Sequence, residues 1–110
     1  MPREALGLLQ GTVDVLILKT LSWKPLHGYG ISEFIRQQTG GELAVEDAAL
    51  YQALHRLERK GLVDSEWGVS ESNRRARIYS ITADGRKQLR SEVVELRRYM
   101  AALFRVLEPA

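Results

Sequence analysis

The last part of the chain carries a regular apolar repeat that limits what the chain can fold into. Apolar residues recur there at spacings of four, three, four, three and four positions: Leu89, Val93, Leu96, Met100, Leu103 and Leu107. This heptad spacing puts the side chains in one stripe along a helix, and such a stripe packs against another helix. A small domain has little surface to cover it, so we expect one long C-terminal helix whose stripe forms a homodimer interface. The alternative is that the helix folds back on its own domain.

Composition excludes several classes of chemistry. The chain has 110 residues, the size of one ordinary domain, and no cysteine, which excludes a disulfide framework, a thiol nucleophile and a thiolate metal site. The two histidines, His27 and His55, lie in different predicted elements and form no H-x-x-x-H pair. A nucleophile with an adjacent base is not indicated either. We expect a protein that is not an enzyme and that holds no cofactor and no metal ion.

The sequence indicates neither export nor membrane insertion. The first ten residues contain one arginine and no long apolar run, so we expect no secretory leader. Residues 13–21 form the longest apolar stretch, but Asp14, Lys19 and Thr20 interrupt it, and it is shorter than the roughly 20 residues of a membrane-spanning helix. We therefore expect a soluble, cytoplasmic protein with no membrane partner.

Three helices are predicted in the first half of the chain, and the third has two distinct faces. The first two are expected over residues 12–22 and around the apolar stripe at residues 31–35. The third is expected to begin near Glu46 or Asp47, acids that suit a helix N-terminus, and to run to Lys60. Its apolar stripe is Leu50, Ala53, Leu54 and Leu57. With about 100° between successive residues, the opposite face carries polar and basic side chains: Gln52, His55, Arg56 and Arg59, with Tyr51 on its flank.

A two-stranded ribbon is predicted after the third helix. Apolar and polar residues alternate over residues 63–69, which is typical of a strand with one covered face, so we expect Trp67 to be buried. A second strand is expected over residues 77–81. The polar connection over residues 70–76 is longer than a tight turn and predicts a projecting tip.

Three helices followed by a ribbon is the order of elements in a winged helix-turn-helix. We predict a mainly α fold with a small β-ribbon. A winged helix-turn-helix domain over residues 1–82 and a C-terminal dimerisation helix over residues 83–110 are expected to form one compact unit.

Basic residues are concentrated in the ribbon and just after it. Between residues 74 and 90 there are six basic side chains against the single acid Asp84, a local charge of +5 in a chain whose net charge is +2. Such a cluster suits a polyanionic partner. A solvated charged face is the alternative.

Five blocks of the sequence form a series with a familiar order and spacing. They are LLQGTVDVLILKTLSW, HGYGI, ALYQALHRLERKGLV, SEWG and NRRARIYSITADGRKQL. Over nearly the whole chain this series resembles the PadR family of transcriptional regulators, and the short tail resembles the subfamily with a single C-terminal helix. The resemblance implies a homodimeric DNA-binding protein, most often a repressor, in a family whose members include several that respond to aromatic or cationic small molecules. The chain departs from the family pattern at Gln52, where proline is frequent.

Residue types on the outer face of the third helix suit DNA. An amide pairs with adenine and a guanidinium with guanine, so we expect Gln52, His55 and Arg56 to contact bases in the major groove. Tyr51 and Arg59 are expected at phosphates, with a structural, half-buried role as the alternative for Tyr51.

The ribbon tip and the start of the second helix are expected to contact the DNA backbone. Three residues at the tip are expected to lie against the DNA backbone or in the minor groove: Asn73, Arg74 and Arg75. Arg77 is expected to support them from the strand. His27 is expected either to donate to a phosphate or to stabilise the turn that precedes the second helix.

A candidate effector pocket is predicted near the dimer interface. In relatives, aromatic residues near that interface help to bind planar ligands. The following residues are therefore candidates for the lining of such a pocket: Trp23, Leu8, Leu9, Val15, Met100 and Phe104. The alternative is that they only pack in the core. The resulting hypothesis is a homodimeric repressor that binds an inverted-repeat operator in double-stranded DNA and is released by an aromatic or cationic small molecule. A winged-helix adaptor that binds proteins instead of DNA is the alternative.

Overall fold

The structure, a computed structural model, describes residues 5–6, 8–9 and 11–108. Four helices and two strands follow one another along the chain: α1 (Thr12–Trp23), α2 (Gly28–Gln38), α3 (Asp47–Arg59), β1 (Val63–Val69), β2 (Arg75–Ile81) and α4 (Ala83–Leu107). The strands form one antiparallel ribbon. This architecture confirms the predicted mainly α, winged helix-turn-helix fold with a long C-terminal helix.

The core lies between the first three helices and the base of the ribbon. Its fully buried apolar side chains come from all of these elements: Ile17, Leu18, Leu21, Ile31, Leu50, Leu54, Leu57 and Val63. In α3, every member of the predicted apolar stripe is buried. Full burial of one such side chain contributes about 1.5–3 kcal/mol, so this packing determines which side of α3 faces outward.

Side-chain caps fix the starts of two helices. His27 precedes α2, and its Nδ1 accepts the backbone N–H of Gly30 at 3.1 Å. Thr82 precedes α4, and its hydroxyl accepts the backbone N–H of Gly85 at 2.9 Å. Glu46 precedes α3 without a capping hydrogen bond from its side chain. An acidic side chain at this position interacts favourably with the helix dipole.

The ribbon is longer than the sequence pattern predicts. β2 begins at Arg75, two residues earlier than predicted, because Arg75 and Val69 form the outermost pair of the ladder. The turn runs from Ser70 to Arg74, and the backbone N–H of Ser70 donates to the carbonyl of Arg74 at 2.8 Å. Asn73 has a positive φ of 60° in this turn, a conformation that asparagine adopts more readily than most residues.

The base of the ribbon is anchored to the turn between α1 and α2. Leu26 in that turn forms an isolated antiparallel bridge with Tyr79 of β2. The two residues exchange both of their backbone hydrogen bonds, at 3.1 and 2.9 Å. Burial raises the pKa of the Tyr79 phenol, in line with its place in the core. The ribbon therefore has a defined position relative to α2.

Trp67 is exposed, so the prediction of its burial is wrong. Its exposed fraction is 57%, whereas Val63, on the same face of β1, is fully buried. The ribbon leaves the core between these two residues. Period-two alternation identifies the face on which a side chain lies, but not how far along the strand the core extends.

α4 is a single helix of 25 residues, as predicted. The first apolar positions of its stripe, Leu89 and Val93, pack against the core of the same chain. Leu103 and Leu107, at the other end, are exposed. The first part of the stripe thus follows the fold-back alternative, and nothing in the described part of the chain covers the last part. The homodimer interface stays a prediction.

Gly85→Ala is expected to destabilise the fold by about 1–3 kcal/mol, although alanine is the better helix former. A Cβ at this position would collide with the backbone carbonyl oxygen of Leu62 and would lie 2.7 Å from Cγ1 of Ile81. Equilibrium unfolding in urea measures the change. Lys87→Ala, at an exposed position in the same helix, is the control and is expected to change stability by less than about 0.5 kcal/mol. Equal stability of the two variants would contradict the close approach of α4 to Leu62.

Candidate nucleic-acid interface

The outward side of α3 carries polar and basic side chains. Tyr51, Gln52, His55 and Arg59 are all exposed, as the burial of the opposite stripe requires. They follow one another along the helix and offer a phenol, an amide, an imidazole and a guanidinium on one surface. A helix of this kind fits the DNA major groove, which is about 12 Å wide.

Arg56 is held by an acid from another helix. Its Nη2 donates to Oδ1 of Asp14 at 2.5 Å, and its Nε donates to Oδ2 at 3.4 Å. The hydrogen bond to Asp14 raises the pKa of Arg56. This bidentate pair joins α3 to α1. It leaves the guanidinium of Arg56 less free to contact a base than we expected from the position of Arg56 on the outer face of α3.

A cleft of about 440 Å³ separates the ribbon from the starts of α2 and α3. Side chains from three parts of the fold line it: His27 and Tyr29 at the start of α2, Tyr51 of α3, and Arg74, Arg75 and Arg77 of the ribbon. The sequence places these residues in separate motifs, and the structure brings them together around one concave surface. Its lining is rich in cationic and hydrogen-bonding groups, which suit an anion.

Two close contacts shape this cleft. A Cβ at Gly28 would lie 2.6 Å from the hydroxyl oxygen of Tyr51, so glycine is the residue that leaves room for the tyrosine ring. Tyr51 is 45% exposed, its ring and hydroxyl lie close to Gly28 of α2, and its side chain lines the cleft. Tyr51 can therefore have the half-buried structural role that we expected from the sequence as the alternative and still contact an anion in the cleft.

His27 faces an acid at the ribbon tip. Its Nε2 lies 3.1 Å from Oε2 of Glu71, while its Nδ1 caps α2. A backbone hydrogen bond at Glu71 and the hydrogen bond with His27 lower the pKa of the Glu71 carboxyl. The turn-stabilising alternative for His27 is thus present in the structure, and its second ring nitrogen already contacts an anionic group.

The arginines of the ribbon have different surroundings. Arg74 and Arg75 are exposed, with Asn73, near the tip. Arg77 lies closer to the base, where its Nε donates to Oγ of Ser65 at 2.9 Å. Its guanidinium is therefore more restrained than those nearer the tip.

The residues of the predicted effector pocket do not converge within one chain. Trp23 stacks on Phe34, with ring centroids 5.2 Å apart, in a groove of about 900 Å³ between α1 and α2. Leu9, Val15 and Met100 line a different cavity, of about 630 Å³, between α1 and α4. Two further members of the set lie elsewhere: Leu8 lines a third depression, and Phe104 is exposed on the last turns of α4. The six residues therefore share no single pocket in the part of the chain that the structure describes.

Two further properties concern the part of the chain that the structure describes. Within residues 5–6, 8–9 and 11–108, no group of three or more histidine, aspartate or glutamate side chains is placed to hold a metal ion. No helix in these same ranges is long and apolar enough to cross a lipid bilayer.

Comparison with known proteins identifies the family. The model of the Transcriptional regulator PadR-like family matches residues 17–91, from α1 into α4. The chain belongs to this family. Its members are transcriptional regulators rather than enzymes. Uncharacterized protein X of Lysinibacillus sphaericus is 31% identical over 88 residues, which are 80% of each chain.

Solved structures share the PadR-like fold. A transcriptional regulator from Clostridium thermocellum is 32% identical and superposes with a TM-score of 0.78, over 86% of this chain and 91% of that chain. Bacillus subtilis PadR, crystallised in complex with operator DNA, has a TM-score of 0.67 at 19% identity, over 76% of this chain and 47% of that chain. At this lower identity the likeness concerns the fold alone.

Several contacts of this PadR-like chain carry no signal in its sequence. Glu71 and His27 are 44 positions apart, and Arg56 and Asp14 are 42 positions apart. Helical and strand periodicity predict the face on which each side chain lies, but pairing between elements depends on how the elements pack. The need for glycine at position 28 likewise follows only from the ring of Tyr51.

The Asp14–Arg56 pair is expected to stabilise the fold by about 0.5–1 kcal/mol, because it is bidentate but partly exposed. A double-mutant cycle with Asp14→Ala and Arg56→Ala, measured by urea unfolding, gives the coupling free energy. The pair between Glu33 and Arg36 within α2 is the control, with an expected coupling of about 0.2–0.5 kcal/mol. Zero coupling at the first pair would leave Arg56 free for the base contact predicted from the sequence.

Proposed function

We propose that this PadR-like protein is a sequence-specific regulator that binds double-stranded DNA as a homodimer and acts as a repressor released by a small molecule. The observation that carries the proposal is the position of the exposed polar face of α3 beside a cleft lined by three ribbon arginines. A surface for base edges and a surface for phosphates thus lie next to each other. Both are needed for specific binding, since phosphate contacts position a protein and base contacts specify its site.

In the proposed complex, α3 lies in the major groove. Gln52 and His55 contact base edges, where an amide can form two hydrogen bonds to adenine. Tyr51 and Arg59 contact phosphates from the flanks of the helix. Arg56 was expected from the sequence to contact bases, and we now assign it a supporting role, because its guanidinium already pairs with Asp14.

The ribbon is proposed to act as the wing of the complex. Its exposed tip, formed by Asn73, Arg74 and Arg75, lies against the DNA backbone or in the minor groove, and Arg77 supports it from β2. His27 is proposed to meet a phosphate at the mouth of the cleft. Each phosphate that such groups neutralise changes the logarithmic salt dependence of binding by about −0.9.

A solved relative supports the DNA partner. Bacillus subtilis PadR has the same fold and was crystallised with operator DNA. The family of this chain is a family of transcriptional regulators. Together with the cationic cleft, these findings favour DNA over a protein as the partner of the wing.

Two copies are proposed to pair through α4. Leu96, Leu103 and Leu107 are exposed in the single chain, and Phe104 lies beside them. Winged proteins of this type bind half-sites about one DNA turn, or roughly 34 Å, apart, which needs two copies of the recognition helix. A homodimer with two-fold symmetry matches an inverted-repeat operator.

The effector is proposed to bind where α4 meets α1. The cavity lined by Leu9, Val15 and Met100 has about 630 Å³, within the size range of small-molecule sites. Its apolar lining suits an aromatic ligand, and Glu92 and Glu95 at its edge suit a cationic one. A molecule at this place would lie beside the proposed dimer interface, where it can change the distance between the two recognition helices.

The DNA-binding proposal is tested by selection of bound sequences from a random duplex pool, followed by affinity measurements. An inverted-repeat consensus is expected. Gln52→Ala is expected to relax discrimination at particular base pairs by about 1–3 kcal/mol, whereas Arg74→Ala should weaken binding to specific and random duplexes alike and flatten the salt dependence. No affinity for any duplex in dilute buffer would refute the proposal and favour the protein-binding adaptor.

Met100→Asp is expected to convert the homodimer into monomers, because it places a charge in the apolar stripe of α4. Sedimentation velocity measures the change, and operator affinity should fall by at least about tenfold, since two linked half-sites bind more tightly than one. Arg98→Asp is the control, at an exposed position on the opposite side of α4. A dimeric Met100→Asp variant would show that the interface lies elsewhere.

A further inference from the structure

An exposed tryptophan lies among the arginines of the wing. Trp67 occupies the middle of β1, where its exposed fraction of 57% leaves its ring without a place in the core. Two guanidinium groups lie against that ring: Cζ of Arg75 is 4.5 Å from its centroid and Cζ of Arg77 is 5.4 Å from it. Arg77 is the ladder partner of Trp67, and Arg75 lies two positions away on the same face of the ribbon.

Arg77 is also held from the side of α3. Its Nε donates to Oγ of Ser65 at 2.9 Å, and the hydroxyl of Ser65 donates to Oε2 of Glu58 at 2.7 Å. A second nitrogen of the same guanidinium lies 3.9 Å from that carboxylate oxygen. Glu58 belongs to the last turn of α3, so this chain of contacts links the wing to the helix that we propose enters the major groove.

Stacking restrains an arginine without using its hydrogen-bonding groups. A guanidinium contacts an aromatic ring with its flat face, and its N–H donors point outward from its edge. A free arginine side chain loses considerable rotamer freedom when a phosphate binds it, and restraint before binding reduces that loss. An exposed ring that contacts two arginines therefore prepares both of them for an anion.

We propose that Trp67 is a positioning residue for DNA binding. Its ring holds Arg75 and Arg77 in orientations that present their N–H edges to phosphates, and Glu58 fixes Arg77 relative to α3 through Ser65. This inference rests on the proposed function and adds to it a residue that contacts the two arginines and not the DNA.

The test compares Trp67→Leu with Val69→Ala in affinity for the selected operator. Val69 is the next residue on the same face of β1 and is 66% exposed, so it matches Trp67 in place and exposure but has no ring. Trp67→Leu is expected to weaken binding by about fivefold, because the two arginine side chains then lose more rotamer freedom when they bind phosphates. Val69→Ala should change the affinity by less than about twofold. Trp67→Phe, which keeps an aromatic face, should recover most of the loss.

A second measurement separates positioning from direct contact. In a chain that already carries Arg75→Ala and Arg77→Ala, Trp67→Leu is expected to cause no further loss of affinity, because the ring then has no guanidinium to hold. An equal loss in both backgrounds would mean that Trp67 touches the DNA itself and would overturn the inference. Thermal unfolding of each variant identifies any loss that arises from misfolding, and Ser65→Ala tests the link to Glu58 without altering the ring.

The two proposals fail in different ways. If the wild-type chain binds no duplex, the proposed function fails, and the role of Trp67 fails with it. If the wild-type chain binds and Trp67→Leu binds as well as Val69→Ala, only the positioning role is overturned. A loss in Trp67→Leu that Trp67→Phe does not recover would also count against stacking as its cause.

Discussion

Burial of one stripe of α3 determines the orientation of the surface that we propose for DNA. Leu50, Leu54 and Leu57 lie in the core, and truncation of such a side chain to alanine costs about 2–5 kcal/mol. A rotation of the helix by one residue, about 100°, would bring polar groups into that core without partners. Burial of the apolar stripe therefore determines which side chains of α3 face the solvent.

The wing depends on attachments to the rest of the domain, because an isolated two-stranded ribbon is only marginally stable in water. It contacts the rest of the domain at three places along its length, and each place contacts a different part of the fold. From base to tip, the attachments are Tyr79 with Leu26 of the α1–α2 turn, Arg77 and Ser65 with Glu58 of α3, and Glu71 with His27 at the start of α2. The α1–α2 turn, α3 and the start of α2 thus all constrain the direction of the ribbon.

Periodicity in the sequence was sufficient to predict the order of elements, the buried stripe of α3 and the single long α4. These features are local, since each depends on residues three or four positions apart along a helix. The burial of Trp67 was predicted wrongly because alternation does not show where a strand leaves the core. The pairing of Arg56 with Asp14 could not be predicted, since it depends on the packing of α3 against α1. Residue type gave Arg56 a plausible contact with guanine, and the neighbouring helix gave it a different partner.

The capping bond of His27 has a consequence for the protons of its ring. Because Nδ1 accepts the N–H of Gly30, the neutral imidazole carries its hydrogen on Nε2, and that nitrogen can only donate. Glu71 supplies the acceptor, and its side chain is 79% exposed. Another anionic oxygen can take its place without a change of tautomer and without loss of the first turn of α2. Exchange of one acceptor for another at Nε2 of His27 therefore requires only that the carboxylate of Glu71 move away from this nitrogen.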